Sequence, residues 1–311
     1  MNIIKNRYIY FGISLLVIIP GIIALIIWQL PLGIDFTGGS LLEVRFETGS
    51  PLSSEQVAGI YSDNSKPGSD IADPIIQALG TDSLSIRSKV MTDATKSDIV
   101  AAFQELQGGV ITVLHFTQVS AAVGKEVATR AAGAVALAAL AILLYISYAF
   151  RGVQHAFRYG TAAIVAMLHD VLVVVGFEAI AGHYLGWEAD SLFLTALLTV
   201  IGFSVHDSIV VFDRIRENSS HYKKISYETL VNHSIVQTLD RSINTQLTVM
   251  MTLLALALFG GITIRHFVVI LLVGVFSGTY SSIFNAAPIL VVWENKEWRT
   301  WFKRKPAAVV E

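Results

Sequence analysis

Residues 8–34 read YIYFGISLLVIIPGIIALIIWQLPLGI, without a single charge. A helix rises about 1.5 Å per residue, so about 20 apolar residues cross a hydrocarbon layer. The run is too long for a cleaved leader, and no small-x-small site follows it. It is therefore expected to remain a membrane helix, kinked at Pro20-Gly21. Outward from it, residues 131–150, 242–264 and 267–293 are equally free of Lys, Arg, Asp and Glu. Two more apolar stretches, 159–182 and 191–212, hold only a few ionisable residues. Six spans follow, roughly at 9–29, 130–150, 160–182, 190–212, 243–262 and 266–292.

Composition agrees. The chain has 311 residues, 53% hydrophobic and 15% charged, with a mean hydropathy of +0.60. Its 22 Lys and Arg and 24 Asp and Glu are too few to cover a soluble globule of this length. Membrane lipid is thus its medium. The absence of cysteine excludes disulfides, thiolate nucleophiles, Cys-ligated zinc and iron–sulfur clusters. The net charge of −2, with no basic cluster among aromatics, gives no sign of a nucleic-acid partner. No cofactor fingerprint, P-loop, H-E-x-x-H or G-x-S-x-G occurs, so neither a cofactor nor a metal is expected, nor enzymatic chemistry.

Lys and Arg gather at alternate ends of the spans. They are Lys5 and Arg7, then Arg151 and Arg158, then Arg214, Arg216, Lys223, Lys224 and Arg241, then Lys296, Arg299, Lys303, Arg304 and Lys305. The short loops on the other side hold only Arg265. By the positive-inside rule both termini are cytoplasmic. The reading divides the chain into 1–30 (N-terminus and first span), an extracytoplasmic domain at 31–126, spans two to six at 127–293, and a basic tail at 294–311. An amphipathic helix near 226–242, with Tyr227, Leu230, Val231, Ile235, Leu239 and then Ile243 at helical spacing, is expected to lie on the cytoplasmic face and to lead into the fifth span.

Within 31–126, strand-like runs at 41–46, 84–90 and 110–119 alternate with helix-like runs at 53–62 and 94–106. Thr92 and Asp93 are candidate caps for the second helix. Residues 64–73 are rich in turn formers. A β-α-β-β-α-β order needs a fourth strand, for which 74–79 is the candidate.

The remaining chemistry lies inside the spans. His169 and Asp170 fall mid-way along the third, and His206 and Asp207 in the cytoplasmic half of the fourth. Asp213 and Arg214 end the fourth, and Arg241 stands where the fifth begins. A charge at the centre of a membrane helix costs about 2.5–3.5 kcal/mol on insertion scales, so such residues are functional by default. The competing reading is an interhelical hydrogen bond worth about 0.6–1.7 kcal/mol. Asp170 and Asp207 favour function. His169 and His206 divide evenly between relay and packing. Asp213, Arg214, Arg216 and Glu217 read as a solvated cluster, and Glu178 as a residue reaching water at the outer interface. Arg241 reads either as a positive-inside anchor or as a partner for Asp207. Burial favours the protonated acid and a guanidinium favours the anion, so an Asp–Arg pair that separates and rejoins is a proton switch. Gly274 and Gly278 in the last span suit close helix packing, within the bundle before between copies.

Several runs resemble the SecD/SecF family of protein-export membrane proteins, in the resistance-nodulation-division superfamily. Residues 33–39, Gly-Ile-Asp-Phe-Thr-Gly-Gly, are similar to its D-F-x-G-G signature. Residues 202–218, GFSVHDSIVVFDRIREN, resemble the fourth-span signature of its SecF branch. His169-Asp170-Val171 matches the third-span H-D-V motif, Thr238-Leu239-Asp240-Arg241-Ser242 the entry to the fifth span, and Phe259-Gly260-Gly261 its exit. The resemblance implies a half-bundle of six helices with a ferredoxin-like extracytoplasmic domain. It implies pairing with SecD beside the SecYEG channel, with SecA and YajC nearby, and use of the proton gradient to draw preproteins across the bacterial cytoplasmic membrane. It assigns proton coupling to Asp207 and Arg241, and a further motif position to Asp170. His206, Asp213 and Arg214 are the candidate relay groups. The family more often has Asn before the key aspartate, where this chain has His206, and a histidine there can itself titrate.

Three alternatives belong to other classes. Asp170 and Asp207 could form an intramembrane aspartyl protease dyad, although the expected glycines around the second acid are missing. The two His-Asp pairs could serve a metal–proton antiporter, although neighbours on a helix point about 100° apart and chelate poorly. The chain could also be half of an ordinary exporter of the same superfamily.

Overall fold

The structure is a computed structural model that describes residues 2–299 apart from 48–49, 66–69, 153–154 and 223. In chain order it runs α1 (Arg7–Ile27), α2 (Ile34–Thr37), β1 (Gly39–Phe46), α3 (Ser54–Asp63), β2 (Ile75–Leu79), β3 (Ser83–Ser88), α4 (Asp93–Gln107) and β4 (Ile111–Val119). Then follow α5 (Ala121–Ala149), α6 (Ala156–Leu185), α7 (Ser191–His221), α8 (Tyr227–Phe259), α9 (Ile262–Ser281) and α10 (Ala287–Glu294). Among the described residues six helices are long and apolar enough to cross a membrane, the last built from α9 and α10 together. The chain is a multi-pass membrane protein.

Two units emerge. One comprises residues 30–134 and 182–192, the other the remaining helical chain. The first is an α+β sandwich. Its sheet is antiparallel in the order β2-β3-β1-β4, with β1 and β3 in the middle. Strand β2 supplies the fourth strand expected near 74–79. Alternation sends Leu42, Val44 and Phe46 of β1 and Leu84 and Ile86 of β3 to one face. Helical spacing sends Val57 and Tyr61 of α3 and Ile99 and Phe103 of α4 to meet them. Ser53 caps α3 in a reciprocal capping box with Gln56, and the Thr92 hydroxyl accepts from the Thr95 amide at the head of α4. Thr92, of the two candidates, is therefore the cap.

The D-F-x-G-G run is the turn from α2 into β1. Gly38 sits at φ 77° and Gly39 at φ 134°, both in left-handed space that glycine adopts without strain. A Cβ on Gly38 would lie 2.6 Å from Cα of Ala121, where α5 begins. Residues 66–69, within the turn-rich 64–73, lie outside the described residues, as does the part of the basic tail beyond 299.

The membrane unit departs from expectation in two places. The amphipathic segment near 226–242 is no separate helix. Ser226 caps it, and α8 then runs unbroken through Phe259, because no Gly or Pro interrupts 227–259. The last span is not one regular helix either. A π turn at Ser282–Ala286 joins α9 to α10, just before Pro288, whose missing N–H disrupts the α-helical ladder there. The interior is close-packed. A Cβ on Gly274 of α9 would fall 2.1 Å from Cγ2 of Val200 on α7. The Gly274/Gly278 step is thus a contact within the bundle. Arg7, at the head of the first span, makes a two-pronged contact with Glu297, just beyond the end of the last, at 2.7 and 3.1 Å, and reaches Glu228 of α8 at 3.3 Å.

The 31–126 boundary is also too simple. The segment between α6 and α7 belongs to the α+β unit, held there by backbone pairing. The Gly33 amide donates to the Ala189 carbonyl and the Ala189 amide to the Pro31 carbonyl, each at 2.8 Å.

Candidate functional site

Among the described residues three carboxyl groups are buried in the spans, Asp170, Glu178 and Asp207, and the two aspartates lie in very different surroundings. Asp170, on α6, is fully buried. Its Oδ2 accepts from the Ser204 hydroxyl of α7 at 2.5 Å and from Ser281 of α9 at 2.6 Å. Its Oδ1 accepts from Ser277 of α9 at 2.6 Å and from His169 Nδ1 at 3.0 Å. A carboxylate offers about four acceptor positions, so these four donors fill it. Ser277 and Ser281 are four residues apart and therefore share one face of α9. Asp170 knots α6, α7 and α9 together.

Asp207, on α7, is 2% exposed. Among the described residues it accepts one hydrogen bond, from Gln246 Nε2 of α8 at 2.9 Å. Ser208 Oγ beside it, Gln246 Oε1, and Ser242 Oγ one turn from Gln246 are buried without a protein partner among the described residues. The α7–α8 seam therefore holds a carboxyl group and, on its α8 side, two polar atoms whose bonding capacity the protein leaves unspent, with Ser208 next along α7. In the native interior such groups call for an explanation by function or by water.

The other candidates scatter. Arg241 is exposed on α8. It stands five residues before Gln246, about 7.5 Å along the helix axis, and makes no ion pair with Asp207 among the described residues. His206 is exposed on α7. Asp213 pairs with Arg216 at 2.5 Å. Arg214 bonds Glu217 at 2.5 Å and Gln237 at 2.7 Å, at the end of α7. These four residues form the half-exposed charge cluster the sequence suggests.

Glu178 corrects the sequence reading. It does not reach water: it is fully buried, and His266 of α9 meets its Oε2 at 2.9 Å. Gln246 and the serine cradle were not legible as site residues. Their only signal was polarity inside charge-free stretches, which small-residue packing explains equally well.

The comparisons agree with this architecture. The family profile described as "Protein export membrane protein SecD/SecF, C-terminal" matches residues 99–296. The "SecD/SecF GG Motif" matches residues 24–49. The chain is 55% identical over 311 residues to the protein translocase subunit SecF of Anaerolinea thermophila, covering 99% of each chain. It is 49% identical to that of Thermobaculum terrenum, over 98% of this chain and 97% of the relative. The crystal structure of SecDF, a translocon-associated membrane protein from Thermus thermophilus, superposes with a TM-score of 0.82 at 31% identity. That match covers 95% of this chain and 39% of the SecDF chain, so the present chain spans about two-fifths of the longer protein. With six membrane-crossing helices, an antiparallel α+β unit and full-length likeness to SecF subunits, the chain belongs to the SecD/SecF family of protein-export membrane proteins, in its SecF branch.

Proposed function

We propose that the chain is the SecF half of a SecDF machine that uses the proton gradient to promote preprotein export across the cytoplasmic membrane. The observation that carries this is Asp207, a carboxyl group at the α7–α8 seam with one protein hydrogen bond and unspent polar atoms around it. A proton taken up there alters the balance of attraction between α7 and α8. Asp170, with every acceptor position filled, is the fixed point against which that change acts. Arg241 is the counter-charge. Arg241 lies about 140° around α8 from Gln246, so a turn of α8 together with an advance along α7 brings its guanidinium toward Asp207 and expels the proton, and the reverse motion favours uptake again. Moving one charge through 100 mV is worth about 2.3 kcal/mol, enough to bias such a rearrangement.

In this reading both termini are cytoplasmic and the α+β unit faces outward, where it meets the emerging preprotein. A second six-helix subunit, SecD, packs beside the half-bundle and supplies a further acid. SecYEG supplies the channel, with SecA and YajC nearby. The chain makes and breaks no covalent bond. His206 and Asp213 are exposed on α7, and Arg214 bridges to Gln237 of α8 at the cytoplasmic end of the seam, so the three serve as feeders of protons at its surface.

The test is preprotein transport by membrane vesicles containing the SecDF pair and the channel, with and without an imposed proton gradient. Asp207→Asn is expected to remove the gradient's contribution and leave gradient-independent transport. Full gradient stimulation in that variant would overturn the reading.

A further inference from the structure

The loop between the two spans that carry buried aspartates is no slack connection. Residues 182–192 are part of the α+β unit, and four kinds of contact hold them. Leu32 and Ala189 form a parallel bridge, flanked by the two backbone hydrogen bonds of Ala189. Arg87 of β3 donates to Glu188 at 2.8 Å and to the Leu32 carbonyl at 2.5 Å, so one guanidinium binds the loop and the stretch after α1 together. Gly182 packs so closely on the ring of Pro31 that a Cβ there would lie 2.3 Å from it. Asp35, the acid of the D-F-x-G-G run, accepts from the amide of Ser191 at 2.9 Å and from its hydroxyl.

Ser191 is the first residue of α7. A carboxylate on the free amides of a helix N-terminus satisfies them and complements the helix dipole. The same helix continues without a break to Asp207, sixteen residues on, or about 24 Å at helical rise. An unbroken helix transmits an axial shift along its length, and here its first residue is bonded to the acid that precedes β1. The ion pair is sheltered: the Arg87 and Glu188 side chains are 19% and 20% exposed. Burial pushes the Glu188 carboxyl above the ordinary glutamate range, with Arg87 drawing it partly back.

We propose that Asp35, Arg87 and Glu188 are positioning residues that fasten the start of the fourth span to the α+β unit, making residues 186–191 the strap through which movement of the Asp207-bearing helix reaches that unit. The D-F-x-G-G run thereby acquires a mechanical purpose. Its acid holds α7, and its glycines allow the tight turn that puts the acid there. The proposal rests on the proton-driven reading above, because it supplies the link between the proton site and the part of the chain that does work outside.

The experiment uses vesicles with the complete SecDF pair and channel, and reads two quantities at once: gradient-stimulated preprotein transport, and proton uptake during that transport. Glu188→Arg places two guanidinium groups against each other. It is expected to lower gradient-stimulated transport several-fold while proton uptake persists, which is uncoupling. Adding Arg87→Glu restores the pair in reverse and is expected to restore transport. Asp35→Ala, which removes the N-terminal bond to α7, is expected to uncouple in the same way at normal protein level. Transport by Glu188→Arg equal to wild type overturns the strap and leaves the proton reading intact. Loss of transport and proton uptake together, not rescued by the reversed pair, reduces these residues to a folding role and overturns it too. A wild-type complex indifferent to the gradient removes the proton reading, and the strap with it.

Discussion

Gln246, not Arg241, is the residue bonded to the Asp207 carboxylate, across 2.9 Å between α8 and α7. The arginine lies about a turn and a half earlier on the same helix, exposed. In the mechanism proposed above the two α8 residues are alternative partners of one acid, the neutral donor in the present arrangement and the charged one after α8 turns and advances. The first prediction follows. Gln246→Leu leaves the acid without its protein hydrogen bond, which costs about 1–3 kcal/mol. The thermal midpoint of the purified protein should fall modestly, while gradient-stimulated transport falls far more. A variant that transports normally would remove Gln246 from the mechanism.

The serine cradle makes a contrasting prediction. Ser277→Ala and Ser281→Ala each remove one hydrogen bond to a buried carboxylate, worth about 1.5–3 kcal/mol. Because both serve Asp170, the double variant should cost less or more than the sum. Asp170→Asn replaces an acceptor by an NH2 group facing hydroxyl donors, so its main effect should be on the unfolding midpoint in detergent. Full stability of Asp170→Asn would contradict the knot.

Packing gives a third. Gly274→Val drives new methyl groups into Val200, and overpacking of this kind costs about 1–3 kcal/mol. Combining Gly274→Ala with Val200→Ala should recover much of the loss. Absence of recovery would mean that the glycine is needed for something other than room.

The α+β unit carries a pH prediction. The Lys89 ammonium donates to Asp70 at 2.5 Å and holds its carboxyl below the ordinary aspartate range. The unfolded chain then binds the proton at higher pH than the folded one. The contribution is complete above the unfolded value, about 3.9, and disappears as pH falls through the lower folded value. The pair is exposed, so the effect is small. Acid titration of unfolding should show a shallower acid limb in Lys89→Gln than in wild type, and an unchanged limb would contradict the assignment.

Most of the fold was legible because the bilayer imposes a length and forbids charge, and those two conditions can be counted along a chain. The α+β unit was legible because alternation at 41–46 and helical spacing at 94–106 leave different marks. What was not legible depends on partners far apart in the sequence. Nothing near Gln246 announces that it faces Asp207, and nothing near Glu178 announces His266 eighty-eight residues later. That the amphipathic helix leads into the fifth span was legible, but not that the two form one unbroken α8, because an amphipathic stretch followed by an apolar one looks the same whether or not a bend separates them. The loop at 182–192 was read as a connection because its ties, to Pro31, Leu32, Gly33, Asp35 and Arg87, reach partners about a hundred or more residues away in the sequence.

Proton uptake counted against preprotein transported, in SecDF-containing vesicles carrying either Asp207 or Asp207→Asn, tests the central claim most directly. The account predicts a fixed ratio of protons to transport in the wild type, with both quantities falling to the gradient-free baseline in the variant. Continued proton uptake tied to transport with asparagine at 207 would contradict it.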